Sequence, residues 1–186
     1  MILILEGLPA SGKTSLANIL QEKYGFLTVN ESLGYLSGVC LSDDQSAIFQ
    51  ETLDKYRLAK DSNELVIIDR GYPSLLAWDH CAEKLQTAYH LKEKVKWVEM
   101  ALRNGILFEP DLYLYLMITS QLSLKRRPRR ETLEDVWSGE IGMNYCSDYY
   151  HSFFKKYPHP DRVLKVDGMQ SLSEIALQIM AKISSI

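Results

Sequence analysis

The segment Gly7-Leu8-Pro9-Ala10-Ser11-Gly12-Lys13-Thr14 constrains this chain more than any other. It fits G-x-x-x-x-G-K-[ST] in full. An unbroken apolar run, residues 2–5, precedes it. A stretch with Leu16, Ala17, Ile19 and Leu20 at helical spacing follows and stops at Gly25. Strand, glycine-rich turn and helix form the context in which this pattern works as a phosphate loop. The glycines admit backbone conformations and close approaches that a Cβ would block. Backbone N–H groups and the helix N-terminus then face an anion. In such a loop Lys13 reaches β- and γ-phosphates, and the Thr14 hydroxyl ligates Mg²⁺. Gly7, Ala10, Ser11, Gly12, Lys13, Thr14 and Ser15 are the expected nucleotide-binding residues. Pro9 has no N–H and adds no donor. The bland alternative is a strand-to-helix turn with no ligand, and the agreement of motif with context counts against it.

The rest of the chain repeats the alternation. Short apolar runs at 26–29, 65–68, 111–118 and 162–166 read as further strands. Helices are expected over 44–61, from Pro73 through Trp78, over 85–104, 120–127 and 145–157, and after a Ser171/Glu174 capping box. In the last of these, Ile175, Ile179 and Ile183 line one face. Five buried strands separated by helices predict an α/β fold, a mostly parallel sheet covered on both faces. With 186 residues the whole chain, 1–186, reads as a single domain. Ligands in such sheets sit beyond the carboxyl ends of the strands. The loop after Leu5, Asp69 and the segment after Ile118 all fall there.

A formal net charge of -3 argues against a dedicated nucleic-acid binder. Cys40, Cys81 and Cys146 have no metal-ligand spacing, and their odd number suits reduced thiols. The N-terminal apolar run is too short for a signal peptide or a membrane span, so a cytoplasmic protein without membrane contact is expected.

Asp69-Arg70 directly follows a buried strand. The carboxylate could hold Mg²⁺, directly or through water, or orient an attacking oxygen, and the guanidinium could bind phosphate bidentately. The alternative is an exposed ion pair at a loop start. Lys125-Arg126-Arg127-Pro128-Arg129-Arg130 is a basic run followed by Glu131, Glu134 and Asp135. Such a run serves as a solvated face, as a nucleic-acid patch or, beside a phosphate loop, as a lid over about residues 125–137. Lid arginines, Arg126 and Arg130 among them, would neutralise charge on a transferring phosphoryl group and exclude water.

With these residues in hand, the chain resembles the thymidylate kinase and deoxynucleoside kinase superfamily of P-loop kinases along nearly its whole length. Glu6-Gly7 before the loop is typical of both branches. The segment from Asp69-Arg70 through Ser74 to Trp78, Pro110-Asp111-Leu112, the basic entry at Leu124-Lys125-Arg126-Arg127, and the strand and turn ending at Asp167-Gly168 are similar to thymidylate kinase motifs. Pro9 departs from that branch, which carries an acidic residue there, and Glu31-Ser32 stands where it has Glu-Pro. The resemblance implies a three-layer P-loop kinase fold with strand order 2-3-1-4-5, an arginine-rich lid, ATP and Mg²⁺ as cofactors, and by analogy a homodimer. Phe49-Gln50, with Arg57 seven residues beyond the Gln, is similar to the nucleoside kinase helix that reads a base. An amide pairs bidentately with a base edge, and an exposed helix face is the alternative. Glu31 matches the general base of nucleoside kinases and could accept a 5′-hydroxyl proton. A monophosphate acceptor needs no such base, and a plain loop carboxylate is the other reading.

The expected activity is therefore ATP-dependent phosphoryl transfer to a nucleoside or nucleoside monophosphate, with Lys13, Glu31, Asp69, Arg70, Arg126 and Arg130 as catalytic candidates. The acceptor would be held by Glu31, Gln50, Arg57 and Arg70, and the metal by Thr14 and Asp69. The alternatives are a kinase of a non-nucleoside small molecule and a non-catalytic nucleotide-binding switch. Against the switch, no N-K-x-D segment is present and Asp69-Arg70-Gly71-Tyr72 is not D-x-x-G. A kinase of nucleic-acid ends conflicts with the acidic balance. The aromatic stretch Tyr145, Tyr149, Tyr150, Phe153, Phe154 and Tyr157 has helical spacing and is read as packing rather than base stacking.

Overall fold

The computed structural model describes residues 1–30, 45–87, 90–127, 139–157 and 159–186. Five parallel strands form one sheet in the order β2-β3-β1-β4-β5. They are β1 (Ile2–Gly7), β2 (Leu27–Val29), β3 (Val66–Asp69), β4 (Leu112–Met117) and β5 (Val163–Asp167). The helices are α1 (Lys13–Tyr24), α2 (Gln45–Lys60), α3 (Tyr72–Lys84), α4 (Leu91–Arg103), α5 (Ser120–Arg126), α6 (Glu140–Lys156) and α7 (Leu172–Ile183). This is the three-layer α/β architecture and the strand order expected.

The strands read as continuous apolar runs because both faces are covered. Side chains alternate between faces with period two. Leu3, Leu5, Ile67, Leu112, Leu114 and Leu116 pack with Leu16 and Leu20 of α1 and Ile175 and Ile179 of α7. Ile4, Ile68, Tyr113 and Tyr115 face the other way, toward α2, α3, α4 and α6. The α6 aromatics belong to this second layer. Phe154 stacks on Tyr115 with centroids 4.9 Å apart, and Phe153 and Tyr157 meet Tyr113 edge-on at 6.1 and 5.1 Å. Their spacing is a packing signal, as read.

Three helix boundaries differ from the sequence reading, the first being that of α3, which runs on past Trp78 to Lys84. The helix expected over 85–104 begins only at Leu91. Leu85 instead caps α3, and Gln86 takes a left-handed φ of 60°. Its N–H and that of Thr87 turn back onto the carbonyls of Glu83 and Ala82. A left-handed non-glycine residue ends a helix, a stop that the apolar stripe Leu91, Val95, Val98 and Leu102 does not encode. In the opposite sense α6 starts at Glu140, five residues before Tyr145, because Gly142 and Met143 are buried there. A buried ion pair, Lys94 Nζ to Asp79 Oδ2 at 2.5 Å, joins α4 to α3.

Candidate active site

The loop from Gly7 to Thr14 turns at the carboxyl end of β1, in the middle of the sheet. Gly7 runs so close to β4 that a Cβ on it would meet the Leu116 carbonyl at 2.5 Å, and its φ is 145°. Gly12, the N-cap of α1, has φ 101°. Both are conformations that only glycine adopts without strain. Thr14 and Ser15 lie exposed in the first turn of α1.

Lys13 is nearly fully buried and folds onto its own loop. Its ammonium donates to the carbonyls of Gly7 at 3.2 Å and Leu8 at 3.0 Å, and to Ser11 Oγ at 3.4 Å. Pro9, which adds no donor, does supply an acceptor. Its carbonyl takes a 2.6 Å bond from Ser123 Oγ of α5. The root of the expected lid is thereby tied to the phosphate loop. Arg126, at the end of α5, donates through Nη1 to the carbonyl of Gly168 at 3.3 Å, in the turn after β5.

Because β1 and β3 are neighbours with Leu5 opposite Asp69, the Asp69 carboxylate reaches the head of α1. Thr14 Oγ1 donates to Asp69 Oδ2 at 2.9 Å. Asp69 Oδ1 is buried and has no hydrogen-bond partner. An orphaned buried carboxylate oxygen costs free energy. Here it lies beside a hydroxyl at the mouth of a phosphate loop, a hard oxygen donor set of the kind a divalent cation such as Mg²⁺ takes.

Arg70 follows with a left-handed φ of 63°. Its Nη1 donates to the Gly7 carbonyl at 3.1 Å, to Ser74 Oγ at 3.3 Å and to Tyr150 OH at 3.4 Å. Glu6, fully buried in β1, closes this network. One carboxylate oxygen accepts from the Gly71 N–H at 2.9 Å, the other from Ser74 Oγ. Burial pushes the Glu6 carboxyl above its ordinary value, while Ser74, Arg70, the Gly71 N–H and Tyr150 pull it down.

Of the residues expected to hold the acceptor, Gln50 Nε2 and Arg57 Nη1 both donate to Asp54 Oδ1, at 2.9 and 3.3 Å. Gln50 lines an open cleft of about 710 Å³ between α2 and the end of β2, together with Thr28, Val29, Asn30, Glu51 and Lys55. Arg57 is not part of that lining; its side chain is 67 % exposed. Glu31 and Arg130 lie outside the described residues, as do Cys40 and most of the segment 125–137 expected to form a lid.

Sequence reasoning missed Lys55, Ser74, Tyr150 and the structural part played by Glu6. Lys55 Nζ donates to the carbonyls of Asp69 at 2.5 Å and Arg70 at 2.7 Å. A signal for it existed. Lys55 shares the inward face of α2 with Thr52 and Ala59, an odd place for a lysine unless its charge has partners.

The model of the AAA domain family matches residues 2–139, well over half of the chain. The chain belongs to the AAA domain family. This AAA domain is 29% identical over 167 residues to the "Probable thymidylate kinase" of Picrophilus torridus, covering 83% of this chain and 81% of that one. It is also 29% identical over 167 residues to the thymidylate kinase of Thermoanaerobacter sp. strain X514, covering 88% and 72%. Its fold is similar to that of deoxyadenosine kinase from M. mycoides with the products dCMP and a flexible dCDP bound. There the TM-score is 0.75 at 18% identity, over 100% of both chains. The same kinase with dATP bound gives 0.73 at 16%, over 99% of this chain and 100% of the other. The likeness to P-loop nucleoside and nucleotide kinases read from Glu6-Gly7, the phosphate loop and Asp69-Arg70 is thus borne out, and the AAA domain has their fold.

Proposed function

We propose that this AAA domain transfers the γ-phosphoryl group of ATP to a nucleoside or nucleoside monophosphate. The observation that carries the reading is the shared turn at Asp69 and Arg70. One side of it faces Thr14 and the phosphate loop, and the other is held from the wall of the Gln50 cleft. A donor site and an acceptor site joined by one short turn suit in-line transfer from ATP to a nucleoside or nucleoside monophosphate bound beside it. The thymidylate kinase relatives support a nucleoside-based acceptor over an unrelated alcohol, and a kinase over a non-catalytic switch.

In this reading the loop amides and Lys13 hold the β- and γ-phosphates, with Ser11, Gly12 and Ser15 shaping the cradle. Thr14 and Asp69 would hold Mg²⁺, which when bound neutralises charge on the phosphates. Among the described residues no group of three or more His, Cys, Asp or Glu gathers as an alternative metal site. Arg70 stands at the junction of the two sites, where a phosphate can draw it from the Gly7 carbonyl. Gln50 orients the acceptor base, with Arg57 beside it. Glu31 takes the hydroxyl proton if the acceptor is a nucleoside. Arg126 and Arg130 close with the 125–137 segment as a lid, and the chain works as one domain. None of its described helices is long and apolar enough to cross a membrane.

The test is an ATP-consumption screen over nucleosides, nucleoside monophosphates and unrelated alcohols, with Lys13→Ala as the blank. Turnover with a nucleoside supports the Glu31 base, and turnover with monophosphates alone removes the need for it. Tight ATP binding with no turnover on either class would sink the reading.

A further inference from the structure

Asp69 and Arg70 occupy an uncommon piece of backbone. The ladder to β1 ends with the Arg70 N–H on the Leu5 carbonyl at 3.1 Å. Arg70 itself is left-handed at φ 63°, a conformation that costs free energy for any side chain with a Cβ and persists only where its surroundings enforce it. The consecutive carbonyls of Asp69 and Arg70 converge on one ammonium, that of Lys55, at 2.5 and 2.7 Å. Lys55 is itself 7% exposed. Charge-assisted bonds to two successive carbonyls fix both peptide planes at once. With the carbonyls drawn toward α2, the Asp69 side chain meets Thr14 and that of Arg70 meets the Gly7 carbonyl.

We propose that Lys55 is a positioning residue for phosphoryl transfer. Its ammonium locks the 69–70 turn in the one conformation that aims Asp69 at the metal side of the phosphate loop. It touches neither phosphate nor metal. Since it also lines the acceptor cleft, a single side chain joins the acceptor's wall to the carboxylate on the donor side. The proposal rests on the phosphotransferase reading above, in particular on Thr14 and Asp69 as the metal site.

The experiment uses the full chain and a fluorescent ATP analogue, mant-ATP, titrated with and without Mg²⁺; no acceptor is needed. In the wild type Mg²⁺ tightens binding, and Asp69→Asn, the benchmark, abolishes that gain. Lys55→Met is expected to cut the Mg²⁺-dependent gain by about tenfold while leaving Mg²⁺-free affinity within about twofold of wild type, the effect of an outer-shell partner. A merely structural role would weaken both titrations together, and that outcome overturns the proposal, as does a wild-type gain. If Lys55→Met does not fold, judged by far-UV circular dichroism, Lys55→Gln decides. It keeps an N–H donor and loses the charge. An intermediate gain supports the lock, and an unchanged one overturns it. If the wild type shows no Mg²⁺ gain, or Asp69→Asn retains it, the metal site and the Lys55 proposal fall together. If both behave as stated and only the Lys55 variants do not, the phosphotransferase reading stands and Lys55 alone is misassigned.

Discussion

The end of this molecule proposed to hold the phosphates and the end proposed to hold the acceptor are built differently. Around the loop, polar groups are tied to backbone: Lys13 to Gly7 and Leu8, Ser123 to Pro9, Lys55 to Asp69 and Arg70. At the proposed acceptor end Gln50 and Arg57 share one half-buried carboxylate, Asp54, beside an open cleft. Triphosphates present the same atoms whatever base they carry, so a fixed backbone cradle serves them. Acceptors differ in shape, and side chains on one helix face suffice to select among them. The first site is determined by main-chain geometry, the second by replaceable side chains.

That contrast can be broken at either end. The largest effect is expected for Lys13→Ala, which should lower turnover by about 10³-fold or more. Because Lys13 also bonds its own loop, a matching drop in thermal stability would show that the loss is one of loop structure instead. Asp69→Asn comes next. It keeps an acceptor for Thr14 but removes the charge, and should cost more than about 100-fold in apparent Mg²⁺ affinity, beyond the loss that an outer partner of a ligand brings, read from turnover against Mg²⁺ concentration. Gln50→Ala should raise the acceptor KM by about tenfold with kcat preserved, as loss of a hydrogen bond made equally in ground and transition states does. If kcat falls instead, Gln50 belongs to the over-determined end and the contrast fails.

The smallest effect concerns Glu6. Burial raises its carboxyl pKa above 4.5, so the folded protein holds that proton more tightly than the unfolded chain. The resulting stability is present at low pH and is lost as pH rises from about 4.5 through the raised value. Glu6→Gln lacks this loss. The difference in Tm between variant and wild type should therefore move in the variant's favour as pH is raised across that window. Movement the other way would mean that Ser74, the Gly71 N–H, Tyr150 and Arg70 outweigh burial.

How much of this was legible in the sequence follows the same divide. The apolar runs gave all five strands, and the phosphate loop could be read because Gly7 and Gly12 answer to positive φ values that almost nothing else satisfies. Asp69 was legible for its place at a strand end. Gln86 was not, since a glutamine carries no mark of a left-handed turn. Lys55 was marked only by its place on the inward face of α2; its partners, 14 residues away, and those of Ser74 and Tyr150, 68 and 80 residues away, come together only in the folded sheet.

Lys13 carries one more consequence. Its ammonium has three N–H donors, and two of them already rest on the Gly7 and Leu8 carbonyls while the third makes only the longest contact, 3.4 Å to Ser11 Oγ. In the proposed reading a phosphate needs to claim only that third donor. The two carbonyls then act as a splint: they hold the long side chain in one rotamer before any nucleotide arrives, so that most of its roughly 2 kcal/mol of rotamer entropy is lost on folding and not on binding.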